Sequence, residues 1–199
     1  MNQIKPTKSI GIRKPLVDGP EKVSGKALYS ADFIPADCLV GRIFRSPISH
    51  GEIIEVDVSK AEALPGVKAV ITGDVTDETF GVLPIARFEY PLARDKVRYK
   101  GEPVACVAAI DAETAQKAIE LIKFKYKELP AYFTSKDAMA KGSVNIHDHR
   151  EGNIERDVDF DLGETDGGLE AADLIMEETY NCAEIAQVQS EPHAAIAEY

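Results

Sequence analysis

Residues 103–130 read PVACVAAIDAETAQKAIELIKFKYKELP and carry the signals of a strand, a helix and a second strand in direct succession. The apolar run at the start predicts a central strand over 103–110, because both of its faces are apolar. Asp111 is a suitable N-cap for a helix over 112–122, and a proline ends a strand over 124–129. The apolar face of the helix is predicted to consist of Ala115, Ala118, Ile119 and Ile122. This order of elements resembles a split β-α-β unit.

The sequence before this stretch predicts four shorter strands and a short helix. In the second of these strands, Ile54, Val56 and Val58 alternate with acidic residues and should form its buried face. Residues 75–96 form a long irregular segment, and a segment of this length in a compact domain is typically functional or interfacial. The strands are predicted over 39–44, 53–58, 67–71 and 97–99, and the helix over 59–64. Together these elements predict an α+β domain with a mixed sheet and packed helices.

The chain is predicted to contain four parts. They are an N-terminal arm at 1–24, an α/β domain at 25–135, an acidic connector at 136–165 and the start of a second α+β domain at 166–199. The last part should contain a short helix over 169–173 and strands over 174–182 and 194–199. Because the final strand runs to the last residue with no terminating turn, the second domain is expected to be incomplete. The chain is then an excised fragment or a separately encoded N-terminal half.

Charge is distributed unevenly along the chain. The formal net charge is −11, and between Asp148 and Glu178 twelve acidic residues stand against two arginines. Such a field repels nucleic acid and an anionic membrane surface, so neither is expected as a partner. We interpret the acidic stretch as a solvated connector; the alternative is a docking surface for a basic partner subunit.

The cysteines and the apolar runs argue against a metal cluster and a membrane span. Cys38, Cys106 and Cys182 form no CxxC pair, which disfavours a disulfide framework and a zinc or iron–sulfur site within the chain. Cys106 lies in an apolar run and is predicted to be a reduced core thiol. The longest apolar run, 104–110, is too short to cross a bilayer, and no targeting segment precedes it. We therefore expect a cytoplasmic protein.

Four small motifs contain residues with chemical potential. His147-Asp148-His149 could supply two imidazoles to a metal, but no third ligand is near in sequence, so a solvated loop is the preferred interpretation. Asp166-Gly167-Gly168 is interpreted as a helix-entry turn, since acidic neighbours would repel phosphate. His50 is interpreted as a hydrogen-bonded structural residue. Glu191 and His193 flank a proline, and this pair could do acid–base work, orient a ligand or simply form a surface hydrogen bond.

Several segments together resemble the large subunit of the xanthine dehydrogenase and aldehyde oxidase family. The order and spacing of the segments fit that family from about residue 10 onward. They are Gly25–Asp32 (GKALYSAD), Arg45–Gly51 (RSPISHG), Pro65–Gly73 (PGVKAVITG), Gly101–Ala105 (GEPVA), Ala115–Pro130 and Glu191–Ala194 (EPHA). The resemblance implies that residues 25–135 form the family's α/β hammerhead domain. It also implies that residues after about 150 open the first domain that binds the molybdenum cofactor.

Within the family, three further segments most resemble the alpha subunits of 4-hydroxybenzoyl-CoA reductases. These are residues 80–101, 129–132 and 179–184. That resemblance implies reductive removal of the phenolic hydroxyl to give benzoyl-CoA in anaerobic aromatic degradation. Electrons would come from ferredoxin through iron–sulfur clusters and FAD on partner subunits, and molybdenum would be held by a pterin dinucleotide in the complete subunit.

Two features of the family are missing from this sequence. The glycine-rich GGGFG cofactor loop does not occur, and the family's glutamate near molybdenum comes later than this chain extends. The resemblance therefore implies no catalytic residue and no metal ligand in this chain, with Glu191 and His193 as the only candidates for a cofactor contact. The alternatives are part of a molybdenum hydroxylase acting on a purine, an aldehyde or an N-heterocycle, and a non-catalytic module that packs against partner subunits.

Overall fold

A computed structural model describes residues 11–81, 87–160 and 162–198. The chain divides into two units. One unit extends from Cys38 to Glu177, and the other consists of the segments up to Asp37 and from Glu178 onward. Among the described residues, no helix is both long enough and apolar enough to cross a membrane.

Six strands and five helices are described, and we number them in chain order. The strands are β1 (Val40–Arg45), β2 (Gly51–Asp57), β3 (Val67–Thr72), β4 (Lys96–Val97), β5 (Pro103–Ala109) and β6 (Lys123–Glu128). The helices are α1 (Gly19–Val23), α2 (Ser59–Glu62), α3 (Ala112–Leu121), α4 (Ser135–Ala138) and α5 (Thr165–Glu170). Short 3₁₀ turns occur at Ser30–Asp32, Gly73–Val75 and Glu151–Asn153. The α+β class predicted from the sequence is confirmed.

The strands form two three-stranded sheets. The first has the order β1-β5-β3 and the second the order β4-β2-β6, and the strand pairs are antiparallel. The prediction that 103–110 forms a central strand is confirmed, since β5 lies between two neighbours and Val104, Ala105 and Val107 are fully buried. The strand–helix–strand stretch differs from a split β-α-β unit, because β5 and β6 belong to different sheets and α3 connects them.

Helix α3 closes the core over the first sheet. The side chain of Asp111 accepts a hydrogen bond from the backbone N–H of Thr114 at 2.7 Å, which caps the helix as predicted. Ala115, Ala118 and Ile122 are buried, whereas Ile119 is only partly buried at the margin of the same cluster. The predicted apolar face is therefore confirmed, with Ile119 at its edge.

Two aromatic side chains join the two sheets. Phe44 on β1 contacts Phe124 on β6 edge to face, with ring centroids 5.8 Å apart. Phe44 and Val56 also pack against both buried clusters, one beneath α3 and one around Ile48 and Val97. The two sheets thus share one continuous apolar interior.

The predicted buried face of the second strand is wrong at one position. Ile54 is 61% exposed, whereas Ile53 packs against the core. The cause is a register shift in the pairing of β2 with β6 between Ile53 and Glu55. A bulge of this kind inserts one residue and reverses the alternation before it, so Ile53 and Val56 face inward together.

Cys106 is not a core thiol. It is half-buried and pairs in register with Ile43 and Ile71, which are 41% and 40% exposed. Its neighbours Ala105 and Val107 point to the opposite, fully buried face, as alternation along a strand requires. Partial burial still raises the pKa of the Cys106 thiol.

The two strands predicted near the C-terminus are not formed. No helix or strand occurs over residues 172–198, and Tyr199 lies outside the described residues. Leu174 and Ile175, at the start of the first predicted strand, are 75% and 61% exposed. A strand is stable only when a neighbour pairs its backbone groups, and these segments have no such neighbour in the described part of the chain. The short helix also forms earlier than predicted, at Thr165–Glu170, and includes both Gly167 and Gly168.

The first half of the predicted connector is ordered. The amide of Val144 donates to the hydroxyl oxygen of Tyr132 at 2.8 Å, and the amide of Ile146 donates to the side-chain oxygen of Asn153 at 2.7 Å. The side-chain amide of Asn153 in turn donates to the carbonyls of Ala138 and Val144. Residues 143–153 are thus a folded loop, whereas the described residues from 154 to 160 are exposed.

Candidate functional site

The loop that contains the two predicted imidazoles is held by a buried lysine. Lys96 has a side chain only 10% exposed, and its Nζ lies 2.5 Å from a carboxylate oxygen of Asp148. The same Nζ donates to the carbonyl of Asn145 at 3.4 Å. The hydrogen bond from Lys96 lowers the pKa of Asp148. Asp148 therefore stays ionised and neutralises a cation that would otherwise be buried without a partner.

The rings of His147 and His149 both pack on Phe88, and their own centroids are 5.6 Å apart. Their centroids lie 4.9 and 4.4 Å from that of Phe88, and the guanidinium of Arg150 lies 5.6 Å from the same ring. Burial lowers the pKa of His147. Asp148 and His149 are exposed, as the interpretation of a solvated loop expects, whereas His147 is half-buried, and packing on Phe88 and an ion pair hold the loop in place. Among the residues that the structure describes, no group of three or more His, Cys, Asp or Glu side chains could hold a metal ion.

A small cavity of about 100 Å³ lies next to this loop. Its walls are largely aromatic, and Glu89, Arg98 and Glu102 supply the charged groups. Burial raises the pKa of Glu102. The aromatic lining residues are Phe80, Phe88, Tyr90, Tyr99 and His147.

Glu102 closes a turn and offers no reactive pair. Its carboxylate accepts a hydrogen bond from the backbone N–H of Arg98, and the guanidinium of Arg98 lies 3.9 Å from the other carboxylate oxygen. Gly101, with φ +92°, lets the chain reverse between them. Glu102 is therefore bound by the turn that it stabilises, and its carboxylate is not positioned as a general base.

His50 joins two strands from a buried position. It is 2% exposed, its Nδ1 lies 2.6 Å from the carbonyl oxygen of Pro130, and its own carbonyl accepts the amide of Leu129 at 3.0 Å. A carbonyl only accepts, so Nδ1 carries the hydrogen and Nε2 is an acceptor in the neutral ring. The prediction of a hydrogen-bonded structural histidine agrees with this geometry.

Glu191 and His193 do not form a pair in the structure. Both are exposed, and Nε2 of His193 lies 2.7 Å from the side-chain amide of Gln189. Within the described residues no hydrogen bond joins the two, and the strand expected to follow them is not formed. Glu191 lines an open groove together with Asp32 and Tyr29. The groove has two carboxylates at its surface.

Comparison with known proteins determines what kind of domain contains these features. The profile of the family described as "Aldehyde oxidase and xanthine dehydrogenase, a/b hammerhead domain" matches residues 24–130, which is more than half of the chain. The chain belongs to this family. The match includes both sheets and α3, so the hammerhead domain is the part that carries His50, Arg98 and Glu102.

Individual relatives extend the match. The nicotinate dehydrogenase large molybdopterin subunit of Eubacterium barkeri is 34% identical over 96% of this chain and 44% of its own length. A probable xanthine dehydrogenase chain of Bacillus subtilis is 35% identical over 90% of this chain and 24% of its own length. Quinoline 2-oxidoreductase of Pseudomonas putida, a solved structure, superposes with a TM-score of 0.64 at 32% identity, covering 74% of this chain and 20% of that one. The chain thus spans less than half of the relatives that it matches.

Sequence reasoning missed Lys96, which holds the loop over 143–153, and Arg98 and Glu102, which line the small cavity. All three are charged and lie at or just after the end of the irregular segment, a pattern that predicts solvent exposure. One signal could have identified them. In Arg98–Glu102 (RYKGE) a basic and an acidic residue flank a Lys-Gly turn, and that spacing allows the carboxylate to reach the backbone at the start of the turn.

Proposed function

We propose that this chain is part of the molybdenum subunit of a hydroxylase of the xanthine dehydrogenase and aldehyde oxidase family. The observation that carries the proposal is the family match over 24–130, supported by similarity to a large molybdopterin subunit over 96% of the chain. The substrate class we propose is an N-heteroaromatic ring, because the named relatives include nicotinate, xanthine and quinoline enzymes. The reaction converts a ring C–H and water to C–OH, two electrons and two protons.

The chain's own contribution to this reaction is structural. When bound in the complete enzyme, the molybdenum cofactor supplies oxygen transfer and accepts the two electrons, which pass to iron–sulfur clusters and FAD on partner subunits. The described residues do not fit these groups. The three cysteines are free and no metal-ligand cluster is present among the described residues. The carboxylates of Asp32 and Glu191 would also repel the diphosphate of a pterin dinucleotide. We assign no chemical step to this chain.

The hammerhead domain instead provides a rigid body for subunit packing. Its core is continuous through both sheets. The loop over 143–153 that follows the domain is held to it by the ion pair between Lys96 and Asp148 and by hydrogen bonds. The acidic stretch that follows is the part of the chain best suited to meet a basic surface, and the described residues at 154–160 are exposed. We propose that this stretch docks an iron–sulfur or FAD subunit.

A second candidate reaction is supported by sequence resemblance. Residues 80–101, 129–132 and 179–184 resemble 4-hydroxybenzoyl-CoA reductase, in which ferredoxin would deliver electrons for removal of a phenolic hydroxyl. Part of that evidence, residues 82–86, lies outside the described residues. We rank the hydroxylase first because both curated relatives described above are named as dehydrogenases of N-heteroaromatic compounds, nicotinate and xanthine.

Purification of the native assembly tests the proposal. An affinity tag on this chain, expressed from its own locus, should recover partner subunits together with molybdenum, iron and FAD. Recovered assemblies should oxidise nicotinate, hypoxanthine or quinoline with an artificial electron acceptor. Recovery of the chain with partners but without molybdenum would contradict the proposal and would favour a non-catalytic packing module.

A further inference from the structure

The loop over 143–153 forms one wall of the small cavity and is held in place by two contacts. Its Asp148 carboxylate lies 2.5 Å from Nζ of Lys96, which fixes the loop to β4. The imidazole of His147 packs on Phe88 and lines the cavity of about 100 Å³. If the loop moves away from β4 and Phe88, this wall is lost and the cavity opens.

Within the described part of the chain, no buried carboxylate is free to balance a positive charge on the imidazole of His147. Three nearby carboxylates are each committed to a cation: Asp148 to Lys96, Glu155 to Arg150 and Glu102 to Arg98. A fourth, that of Glu89, belongs to an exposed residue. The charged and titratable groups around the ring are Lys96, Arg98, Tyr99 and Glu102 on β4 and the residues after it, Glu89 and Tyr90 before it, and Asp148, His149, Arg150 and Glu155 on the loop and just beyond.

Burial and neighbouring cations both oppose that charge. His147 is half-buried, and burial together with the nearby Arg98 lowers its pKa. A cation is attracted to the face of an aromatic ring, so Phe88 offsets part of this effect. However, the guanidinium of Arg150 already lies 5.6 Å from the centre of that ring, and the imidazole of His149 packs on it as well. A proton on His147 therefore crowds one ring with positive charge.

We propose that the loop over 143–153 is a proton-operated latch. The loop is closed on β4 and Phe88 while the imidazole of His147 is neutral, and it is released when that imidazole takes up a proton. The ion pair between Asp148 and Lys96 is not the trigger. The hydrogen bond from Lys96 lowers the pKa of Asp148, which therefore stays ionised over the range in which histidine titrates. The latch does not depend on the reaction proposed above.

The direction of the pH dependence follows from the two pKa values of His147. In an open loop the imidazole has the ordinary histidine pKa near 6.5, whereas in the closed loop its pKa is lower. The closed loop therefore has its full stability above about pH 6.5 and loses stability as the pH falls toward the pKa of the closed state. At about pH 5.5 the closing equilibrium is weakened by at most about tenfold, the limit for an imidazole that stays neutral while the loop is closed.

NMR hydrogen exchange on the isotopically labelled full chain tests the proposal. The reporters are the amides of Val144, Ile146 and Arg150, which donate hydrogen bonds in the closed loop. After correction for the intrinsic pH dependence of exchange, their protection should fall by about twofold to tenfold between about pH 7.5 and pH 5.5. Titration of the ring protons of His147 in the same samples should give a pKa below about 6.5.

Three substitutions locate the titrating group. His147→Phe keeps an aromatic ring against Phe88 but cannot take up a proton, so the protection of the loop amides should no longer fall with pH. His149→Phe removes the neighbouring imidazole, and the fall should persist. His193→Phe, the matched control, removes an exposed histidine outside the loop and should leave the fall unchanged. The amide signals of the strands show whether each variant is folded.

Three results would each overturn the proposal. The first is protection of the loop amides that stays constant over this pH range in the wild type. The second is a fall that persists in His147→Phe, which would place the titrating group elsewhere. The third is a pKa of His147 at or above about 6.5 in the folded chain, because a proton would then not favour release. Activity of the assembled enzyme enters none of these measurements, so failure here is distinguishable from failure of the proposed function.

Discussion

Replacement of Gly51 by alanine tests how closely β2 and β6 approach each other. Gly51 is the first residue of β2, is fully enclosed, and follows directly after His50. A Cβ atom at this position would lie 2.5 Å from Cδ1 of Ile48 and 2.8 Å from the carbonyl oxygen of Lys127. The isoleucine side chain can rotate, but the carbonyl belongs to the backbone of the neighbouring strand. The sheet must therefore open locally to admit the methyl group.

The expected change in the free energy of unfolding for Gly51→Ala combines two opposing effects. Overpacking in a closed site destabilises a protein by about 1–3 kcal/mol. Glycine-to-alanine replacement at an unstrained position stabilises by about 0.4–1 kcal/mol, because the unfolded chain loses freedom. The two ranges combine to a net loss for Gly51→Ala of about 0–2.6 kcal/mol, centred near 1.3 kcal/mol, in the free energy of unfolding.

Gly41 on β1 provides the matched control. It also lies in a strand, but no heavy atom lies within 4 Å of the Cβ position. Gly41→Ala should therefore stabilise by about 0.4–1 kcal/mol, which gives the two variants opposite signs. Urea unfolding followed by circular dichroism measures both. If Gly51→Ala stabilised the protein as Gly41→Ala does, the close approach of β2 and β6 at this residue would be wrong.

Three further predictions concern α3 and the loop over 143–153. Ile119→Ala should lower the free energy of unfolding in urea by about 1–2 kcal/mol, because Ile119 is only partly buried. A fully buried isoleucine would cost roughly 2–5 kcal/mol, so a loss in that range would place Ile119 in the core. The hydrogen bond from the Thr114 amide lowers the pKa of Asp111 in the folded protein. The ionised carboxylate therefore stabilises the fold fully above its unfolded pKa near 3.9, and this stabilisation is lost as the pH falls through the lower pKa of the folded state. Asp111→Asn keeps the acceptor but cannot titrate. The free energy of unfolding of Asp111→Asn should therefore approach that of the wild type in acid. A difference between the two proteins that stays the same at every pH would refute this prediction. Asp148→Asn leaves buried Lys96 without its carboxylate, so the loop's amides should exchange faster with solvent, and unchanged exchange would show that the ion pair does not hold the loop.

The regular elements of the hammerhead domain could be predicted because local signals and tertiary packing agree there. The apolar run before Asp111 has two apolar faces in the sequence, which predicts a central strand, and β5 is central in its sheet. The helix face with Ala115 and Ala118 is equally clear in both. Where the local sequence pattern and the tertiary packing agree, a strand or a helix can be predicted from a single sequence.

Errors occurred where tertiary pairing overrides local pattern. The alternation at Ile54 predicts a buried side chain, but the bulge opposite β6 reverses it, and a bulge depends on the partner strand. The strand predicted over 174–182 does not form for a related reason. An apolar pattern in one segment does not supply the neighbouring strand that its backbone groups need for pairing.

The cavities were the least predictable feature. His50 could be assigned as structural from the sequence, but nothing local shows that it lines a cavity together with Arg98 and Lys100. Those residues come from two separated segments, and the pairing of β2 with β4 brings them together. Similarly, the contact of Lys96 with Asp148 spans 52 residues. Clusters of this kind require the fold before they can be identified.

The source of the oxygen atom in the product tests the central claim most directly. The native assembly captured through this chain is incubated in oxygen-18 water with nicotinate, hypoxanthine or quinoline and an electron acceptor, and the product is analysed by mass spectrometry. A molybdenum hydroxylase takes its oxygen from water, so the account predicts one labelled oxygen per hydroxylated product. The contradicting result is an assembly that labels none of these substrates and instead removes the hydroxyl group of 4-hydroxybenzoyl-CoA with a low-potential donor.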